Sequence, residues 1–206
     1  IRGVPGVDWG KAAEVALRHA YHERSARYQV SGWFGVGDVS SDAPPDKNRA
    51  RSGSSTPAFA MNDFYAARLA AAAGRRDEAA ALMKRSGNWR NVWNAAATSD
   101  GFTGFVLPRF GDGRFQAIDP KQGWDGKTYD NVGFYEGSSW IYSYTMLHDI
   151  DGMVAAMGGR ATFVRRLRHA LESGLIDITN EPSFATPWLF SDVGRPDLAS
   201  YWANRI

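Results

Sequence analysis

Two helix-forming segments joined by a short turn constrain the fold of this chain more than any other feature. Thr56–Ala73 carries apolar residues at helical spacing, Pro57 suits a first turn, and Gly74 ends the pattern. Asp77–Trp93 resumes the helical spacing after the turn. Because so short a connection reverses the chain direction, the two segments predict an antiparallel helix hairpin.

Further helices are predicted on both sides of this hairpin, with long glycine-rich loops between them. The predicted helices are Asp8–Tyr28, Ser138–Met157, Ala161–Ser173, a short one near Phe184–Phe190 and a last one from Arg195. The predicted loops are Gln29–Ser55 and Ala97–Trp124, the second with a possible β-hairpin of Phe105–Phe110 and Arg114–Ile118. In Ala161–Ser173 the charged residues Arg165, Arg166 and Arg168 are expected to face solvent.

Long paired helices with almost no strand predict an all-α fold. Helix hairpins joined by long connections suit part of a toroid in which the loops at one end build a cleft, whereas a plain bundle prefers shorter connections. The whole chain, residues 1–206, is therefore interpreted as one helical segment of such a toroid.

Composition excludes several classes of protein. A net charge of +2 gives no electrostatic basis for binding nucleic acid. No apolar run approaches the roughly 20 residues that a membrane-spanning helix needs. The chain has no cysteine, so neither a disulfide framework nor a thiolate metal site is available.

The stretch Tyr129–Asp149 is the strongest candidate for chemistry. Glu136 lies there among aromatic residues, with Tyr135 before it and Trp140 after it. Aromatic surroundings solvate a carboxylate poorly and favour its protonated form, which is the form that a general acid needs. The structural alternative is a surface carboxylate that caps the following helix. His148 precedes Asp149 directly, and since adjacent helical side chains diverge by about 100°, it is interpreted as a cleft or structural group.

A second candidate carboxylate, Glu181, follows Asn180 and precedes Pro182. Two carboxyl groups that flank a glycosidic bond are the minimum machinery for sugar hydrolysis. The side-chain oxygens of Asn180 and Glu181 are also of the kind that Ca²⁺ prefers. The alternative is that both residues cap the helix that follows.

Several motifs in order resemble glycoside hydrolase family 92. They are Gly133-Phe134-Tyr135-Glu136-Gly137-Ser138-Ser139-Trp140, then His148-Asp149, Met157-Gly158-Gly159, Phe163 and Thr179-Asn180-Glu181-Pro182-Ser183, preceded by Asn62-Asp63-Phe64. The resemblance covers roughly Ser54–Asp197. Members of this family are calcium-dependent exo-acting α-mannosidases that invert the anomeric centre, and their catalytic (α/α)6 barrel follows a β-sandwich domain.

The resemblance implies specific roles for residues of this chain. Glu136 would be the general acid, Asn180 and Glu181 would contribute to the sugar and Ca²⁺ sites, and Trp140 and His148 would contact the substrate. The expected substrate is a mannose-containing glycan, with the α-1,2 linkage as the first expectation. The family also implies a secreted protein, extracellular or periplasmic, with no membrane or nucleic-acid partner.

Departures from the family pattern leave alternatives open. Ile141 stands where the family usually has glutamine, and Phe184 stands where it usually has histidine. The upstream W-D-T and downstream G-N-D-D motifs, the second carrying the catalytic base, are not in the sequence. The chain is thus expected to be a middle segment of the barrel, with the β-sandwich domain and the rest of the barrel as its partners. The alternatives are a non-catalytic carbohydrate-binding or structural helical segment, or another inverting (α/α)6 hydrolase.

Overall fold

The computed structural model describes residues 5–22, 26–38, 51–123 and 133–205. The chain divides into two compact units. The first comprises Ile1–Val92 and Pro108–Phe115, and the second comprises Trp93–Leu107 and Gln116–Ile206. None of the helices in these described ranges is long and apolar enough to cross a membrane.

Helices make up most of the first unit. They are α1 (Trp9–His22), α2 (Ala26–Ser31), α3 (Ser52–Ala72) and α4 (Arg76–Arg85), followed by a 3₁₀ helix at Ser86–Val92. Helices α3 and α4 pack against each other across the turn at Gly74, which confirms the predicted hairpin. The core holds mostly small residues, Leu17, Ala20, Ala66, Ala67, Ala70 and Leu82, which let α1, α3 and α4 approach closely.

The helix boundaries in this unit differ from those expected. Helix α3 begins at Ser52, and Thr56 lies inside it, where its hydroxyl accepts a hydrogen bond from the Phe34 amide at 3.1 Å. The helix predicted from Thr56 therefore begins earlier in the chain, at Ser52. Helix α4 ends at Arg85, and the chain continues as a 3₁₀ helix and then a strand. The helix predicted to reach Tyr28 ends at His22, and Tyr28 belongs to α2.

A two-stranded antiparallel sheet opens the second unit. Strand β1 (Trp93–Ser99) pairs with β2 (Phe102–Val106), and Asp100 and Gly101 form the turn with φ of 49° and 79°. Aspartate and glycine tolerate this left-handed backbone, which suits tight hairpins. The prediction of a loop here is wrong, so the fold is rich in helix rather than purely helical. The hairpin expected near Gly111 is reduced to a bridge between Arg109 and Phe115 in the first unit.

Five further helices are formed by the described residues of the second unit. They are α5 (Ser139–Tyr142), α6 (Ile150–Ala156), α7 (Arg160–Glu172), α8 (Leu189–Asp192) and α9 (Pro196–Ala203), with 3₁₀ turns at Glu181–Ser183 and Thr186–Trp188. The single helix predicted over Ser138–Met157 is thus divided into α5 and α6. Asp149 starts α6, where its carboxylate accepts a hydrogen bond from the Gly152 amide.

The core of the second unit contains a buried arginine, Arg166 on α7. Its guanidinium carbon lies 3.9 Å from the ring centre of Phe105, and its Nη1 donates hydrogen bonds to the carbonyls of Thr103 and Gly104. Burial lowers the pKa of this guanidinium. The expectation that Arg166 faces solvent is therefore wrong, because aromatic faces and backbone carbonyls of β2 take the place of water around the cation.

Candidate functional site

A pocket of about 440 Å³ lies within the second unit. Its polar lining consists of Lys121, Glu136, Ser138, Asp177, Thr179 and Asn180. A volume of this size is typical of small-molecule sites, and the mixture of charged and amide groups suits a ligand with many hydroxyls. Glu136 and Asn180, which the sequence assigned to one site, therefore line the same pocket.

Glu136 occupies an unusual backbone conformation. Its φ of 45° lies in the left-handed region, which residues with a Cβ rarely adopt. Such strain persists only where the surrounding structure imposes it, and it is concentrated at functional sites. The residue is half-buried, and the buried Gly137 follows it.

Side chains hold the backbone on both sides of the Glu136 Cα. The Tyr142 hydroxyl donates to the Tyr135 carbonyl at 2.6 Å, and the Asn180 Nδ2 donates to the Glu136 carbonyl at 3.2 Å. The Tyr142 ring also stacks on Phe134, with 5.5 Å between ring centres. The second of these hydrogen bonds joins residues 44 positions apart, so the fold brings the Glu136 and Asn180 segments together.

Helix α5, which begins directly after this loop, is anchored on the β-hairpin. The Trp140 Nε1 donates to the Ser99 hydroxyl at 3.1 Å, and the Val106 amide donates to the Ser143 hydroxyl at 3.0 Å. Trp140 packs edge-on against Phe105 and is fully buried. The structure thus places Trp140 in the core and outside the pocket lining, and its contact with a sugar stays a prediction.

The segment that carries Asn180 is a hydrogen-bonded turn. The Asp177 carboxylate accepts bonds from the hydroxyl and the amide of Thr179, at 2.6 and 2.9 Å. These two bonds lower the pKa of Asp177 and keep it ionised. The Asn180 Oδ1 accepts a bond from the Glu181 amide at 3.1 Å, which is the capping bond expected under the structural alternative. Glu181 is exposed at the start of the 3₁₀ turn.

His148 lies apart from the pocket lining. It is half-buried in the break between α5 and α6, directly before the capping residue Asp149. The contact of His148 with substrate stays a prediction, while its neighbour Asp149 caps helix α6.

Two charged residues of the pocket escaped the sequence prediction, Lys121 and Asp177. Lys121 forms an ion pair with Asp100, which also contacts His169. The ion pair of Lys121 joins residues far apart in the sequence and depends on tertiary structure, whereas the Asp177 turn is local. An aspartate two residues before a threonine is the signal for the Asp177 turn, and it stands next to a motif that the sequence already singled out.

The oxygen chemistry of this region fits calcium only in part. Asn180 Oδ1 and the Glu181 carboxylate are suitable donors, but Ca²⁺ takes six to eight oxygens. Within residues 5–22, 26–38, 51–123 and 133–205, no group of three or more His, Cys, Asp or Glu could hold a metal ion. These two residues could therefore supply a fraction of a calcium shell.

Several known proteins are similar to this chain. A curated relative, an uncharacterized secreted glycosidase of Arthroderma benhamiae, is 30% identical over 96% of the chain and 28% of the relative. A family 92 α-mannosidase from Bacteroides thetaiotaomicron, solved with mannoimidazole, has a TM-score of 0.77 at 19% identity, covering 97% of this chain and 27% of that protein. An inverting mannosidase of the same family and organism has a TM-score of 0.70 at 21% identity, covering 89% and 27%.

The chain spans little more than a quarter of the length of each of these proteins. Structural likeness at such low identity shows the fold. The sequence itself matches the Glycosyl hydrolase family 92 catalytic domain over residues 1–206. The chain belongs to glycosyl hydrolase family 92.

Proposed function

We propose that this chain forms part of the catalytic barrel of an inverting exo-α-mannosidase that removes mannose from glycans, with α-1,2-linked mannose as the first expected substrate. The observation that carries the proposal is Glu136, held in a strained backbone conformation at the wall of a pocket lined by polar groups. Family membership supports the glycosidase chemistry. Two relatives of the same fold are named as mannosidases, one of them inverting.

In this proposal Glu136 is the general acid. It protonates the glycosidic oxygen as the bond breaks, so that the leaving sugar departs as a neutral alcohol. Water attacks the opposite face of the anomeric carbon. In inverting glycosidases the acid and the base stand about 6.5–9.5 Å apart to leave room for this water. We assign the base to a part of the full-length gene product outside this chain.

Other pocket residues bind the sugar. The lowered pKa of Asp177 makes it a poor general base but a permanent acceptor for sugar hydroxyls. Lys121 is a donor at the same wall. Together they would fix the orientation of the ring, which is a large part of the catalytic advantage of an enclosed site.

Calcium is the proposed cofactor, and Asn180 Oδ1 and the Glu181 carboxylate are the groups of this chain that would hold it. When bound, the ion would contact sugar hydroxyls and favour a distorted ring. We expect chelation to abolish activity in the full-length gene product and added Ca²⁺ to restore it. Glu181→Gln should raise the Ca²⁺ concentration for half-maximal activity by at least about 10-fold, because ligand-shell changes have effects of this size. An unchanged Ca²⁺ requirement in the variant would remove Glu181 from the site.

We also propose the (α/α)6 toroid and an extracellular or periplasmic location. The hairpin of α3 and α4 and the likeness to family 92 structures support the toroid. The description of the curated relative as secreted supports the location.

Proton NMR of the first product tests the reaction. An inverting α-mannosidase releases β-mannose, which then equilibrates slowly to the α-anomer. We expect the β-anomer signal to appear first when the full-length gene product hydrolyses an α-1,2-mannobiose. Initial release of α-mannose would contradict the inverting mechanism. Sugar binding without any release would favour the non-catalytic alternative.

A further inference from the structure

We propose that the Tyr142 hydroxyl and the Asn180 amide act as a clamp on the backbone of Glu136. This clamp fixes the position from which the Glu136 carboxyl group donates its proton. The inference rests on the proposed function, in which Glu136 is the general acid. It makes Tyr142 and Asn180 positioning residues, which act on the reaction through Glu136.

The first step of the argument is the backbone of Glu136 itself. A φ of 45° is disfavoured for a residue with a Cβ, so a free loop of this sequence would leave that conformation. Leaving it would swing the Cα–Cβ bond and move the carboxyl group away from its place in the pocket wall. The conformation therefore needs partners that hold the two flanking peptide groups.

The Tyr142 side chain holds the peptide group on the N-terminal side of Glu136. Its hydroxyl donates to the carbonyl of Tyr135, which belongs to the peptide that joins Tyr135 to Glu136. The ring is buried and stacked on Phe134. A Cβ added at Gly137 would lie 2.9 Å from Tyr142 Cε2, so the ring occupies space that only glycine leaves open. The hydroxyl is thus fixed at the end of an immobile ring.

The Asn180 side chain holds the peptide group on the C-terminal side of Glu136. Its Nδ2 donates to the carbonyl of Glu136, while its Oδ1 accepts from the Glu181 amide. Because the capping bond fixes the oxygen end, the nitrogen end is aimed at Glu136. Asn180 thereby links the turn that starts at Asp177 to the acid.

The test compares two substrates of the full-length gene product. Tyr142→Phe removes the hydroxyl and keeps the ring. We expect kcat on α-1,2-mannobiose to fall about 10- to 100-fold, the size of effect that a misplaced catalytic group produces. KM should stay within about twofold, and kcat on a dinitrophenyl α-mannoside should be unchanged, because that leaving group needs no proton. If Tyr142→Phe does not fold, Asn180→Asp, which keeps Oδ1 and replaces the Nδ2 donor by an oxygen, should give the same selective loss when both substrates are assayed at saturating Ca²⁺.

Tyr144→Phe is the matched control. Tyr144 is also buried near α5, but its ring packs on Phe163 and its hydroxyl interacts with Arg166 rather than with the backbone of Glu136. We expect this variant to keep wild-type rates on both substrates. A selective loss in Tyr144→Phe equal to that in Tyr142→Phe would overturn the clamp, since removal of any buried hydroxyl nearby would then suffice.

A double variant separates positioning from general damage. If Tyr142 acts through Glu136, adding Tyr142→Phe to Glu136→Gln should cause no further loss, because the group that it positions is already gone. Multiplied losses in the double variant, or equal losses on both substrates in Tyr142→Phe, would overturn the clamp while leaving the acid role of Glu136 intact. The proposed function fails separately, if Glu136→Gln itself shows no preference between the substrates.

Discussion

Glu136→Gln should lower hydrolysis of a mannobiose by the full-length gene product roughly 10²- to 10⁴-fold, the usual contribution of general acid catalysis. Glutamine keeps the size and shape of the side chain but cannot supply the proton that the departing oxygen needs. A dinitrophenyl mannoside should suffer much less, because its leaving oxygen is stable as an anion. Steady-state kinetics on the two substrates measure the difference directly.

Glu181→Gln is the matched control for this variant. Glu181 is exposed next to Asn180, and its proposed contact with sugar or calcium acts whatever the leaving group is. Glu181→Gln should therefore lower the rate of hydrolysis of both substrates by the same factor. If Glu136→Gln gives the same equal losses, Glu136 is not the acid, and the role assigned from the family resemblance has to be abandoned.

The sequence identified both ends of the site but not the contact between them. The motifs around Glu136 and around Asn180 were each recognisable in isolation. The hydrogen bond between the Asn180 amide and the Glu136 carbonyl joins distant positions, and nothing local in either motif encodes it. Lys121 was missed for the same reason, since its place in the pocket wall depends on the fold.

Trp140 shows that a tryptophan beside a candidate acid can also serve the core. A tryptophan beside a candidate acid suggests a platform for sugar, yet its ring is fully buried and its Nε1 is bonded to Ser99. Trp140 packs helix α5 against Phe102 and Phe105 of the β-hairpin. The commoner role of aromatic residues, filling a core, is the one that the structure shows here.

The missed β-hairpin has a physical explanation in β1. Three consecutive alanines at positions 95–97 favour a helix in isolation, and the sequence prediction continued α4 as far as Trp93. Pairing with β2 overrides that weak preference, as strand formation depends more on neighbours than on intrinsic propensity. The Asp100-Gly101 dipeptide was the local signal that could have revealed the turn.

The bounds of helix α7 were predicted to within one residue, but the burial of Arg166 on this helix was not. Phe163, Arg166, Leu167 and Ala170 are spaced as one helical stripe, and all four are buried. The helical spacing alone would have put Arg166 inside, but the prediction followed its charge and placed it in solvent, which is wrong. The charge was accommodated because aromatic rings and the carbonyls of Thr103 and Gly104 surround it, which only the tertiary structure reveals.

Two matched variants test whether Arg166 stabilises this core. Arg165→Ala removes an exposed arginine from the same turn of α7, and surface changes of this kind are usually within about 0.5 kcal/mol. Arg166→Met places a long apolar side chain in the core and removes the charge that is costly to bury. Replacing buried charge by well-packed apolar groups is often tolerated, so we expect Arg166→Met to lose about 1–2 kcal/mol.

Arg166→Ala should destabilise the second unit by about 3–5 kcal/mol, because it removes a large buried side chain and the donors to two carbonyls of β2. Hydrogen exchange followed by mass spectrometry, on peptides that cover β2 and α7, reports the free energy of local opening in a full-length protein. The expected order of destabilisation is Arg166→Ala, then Arg166→Met, then Arg165→Ala. Equal exchange rates in Arg166→Ala and Arg165→Ala would contradict this role. The buried guanidinium would then contribute nothing measurable to the stability of this core.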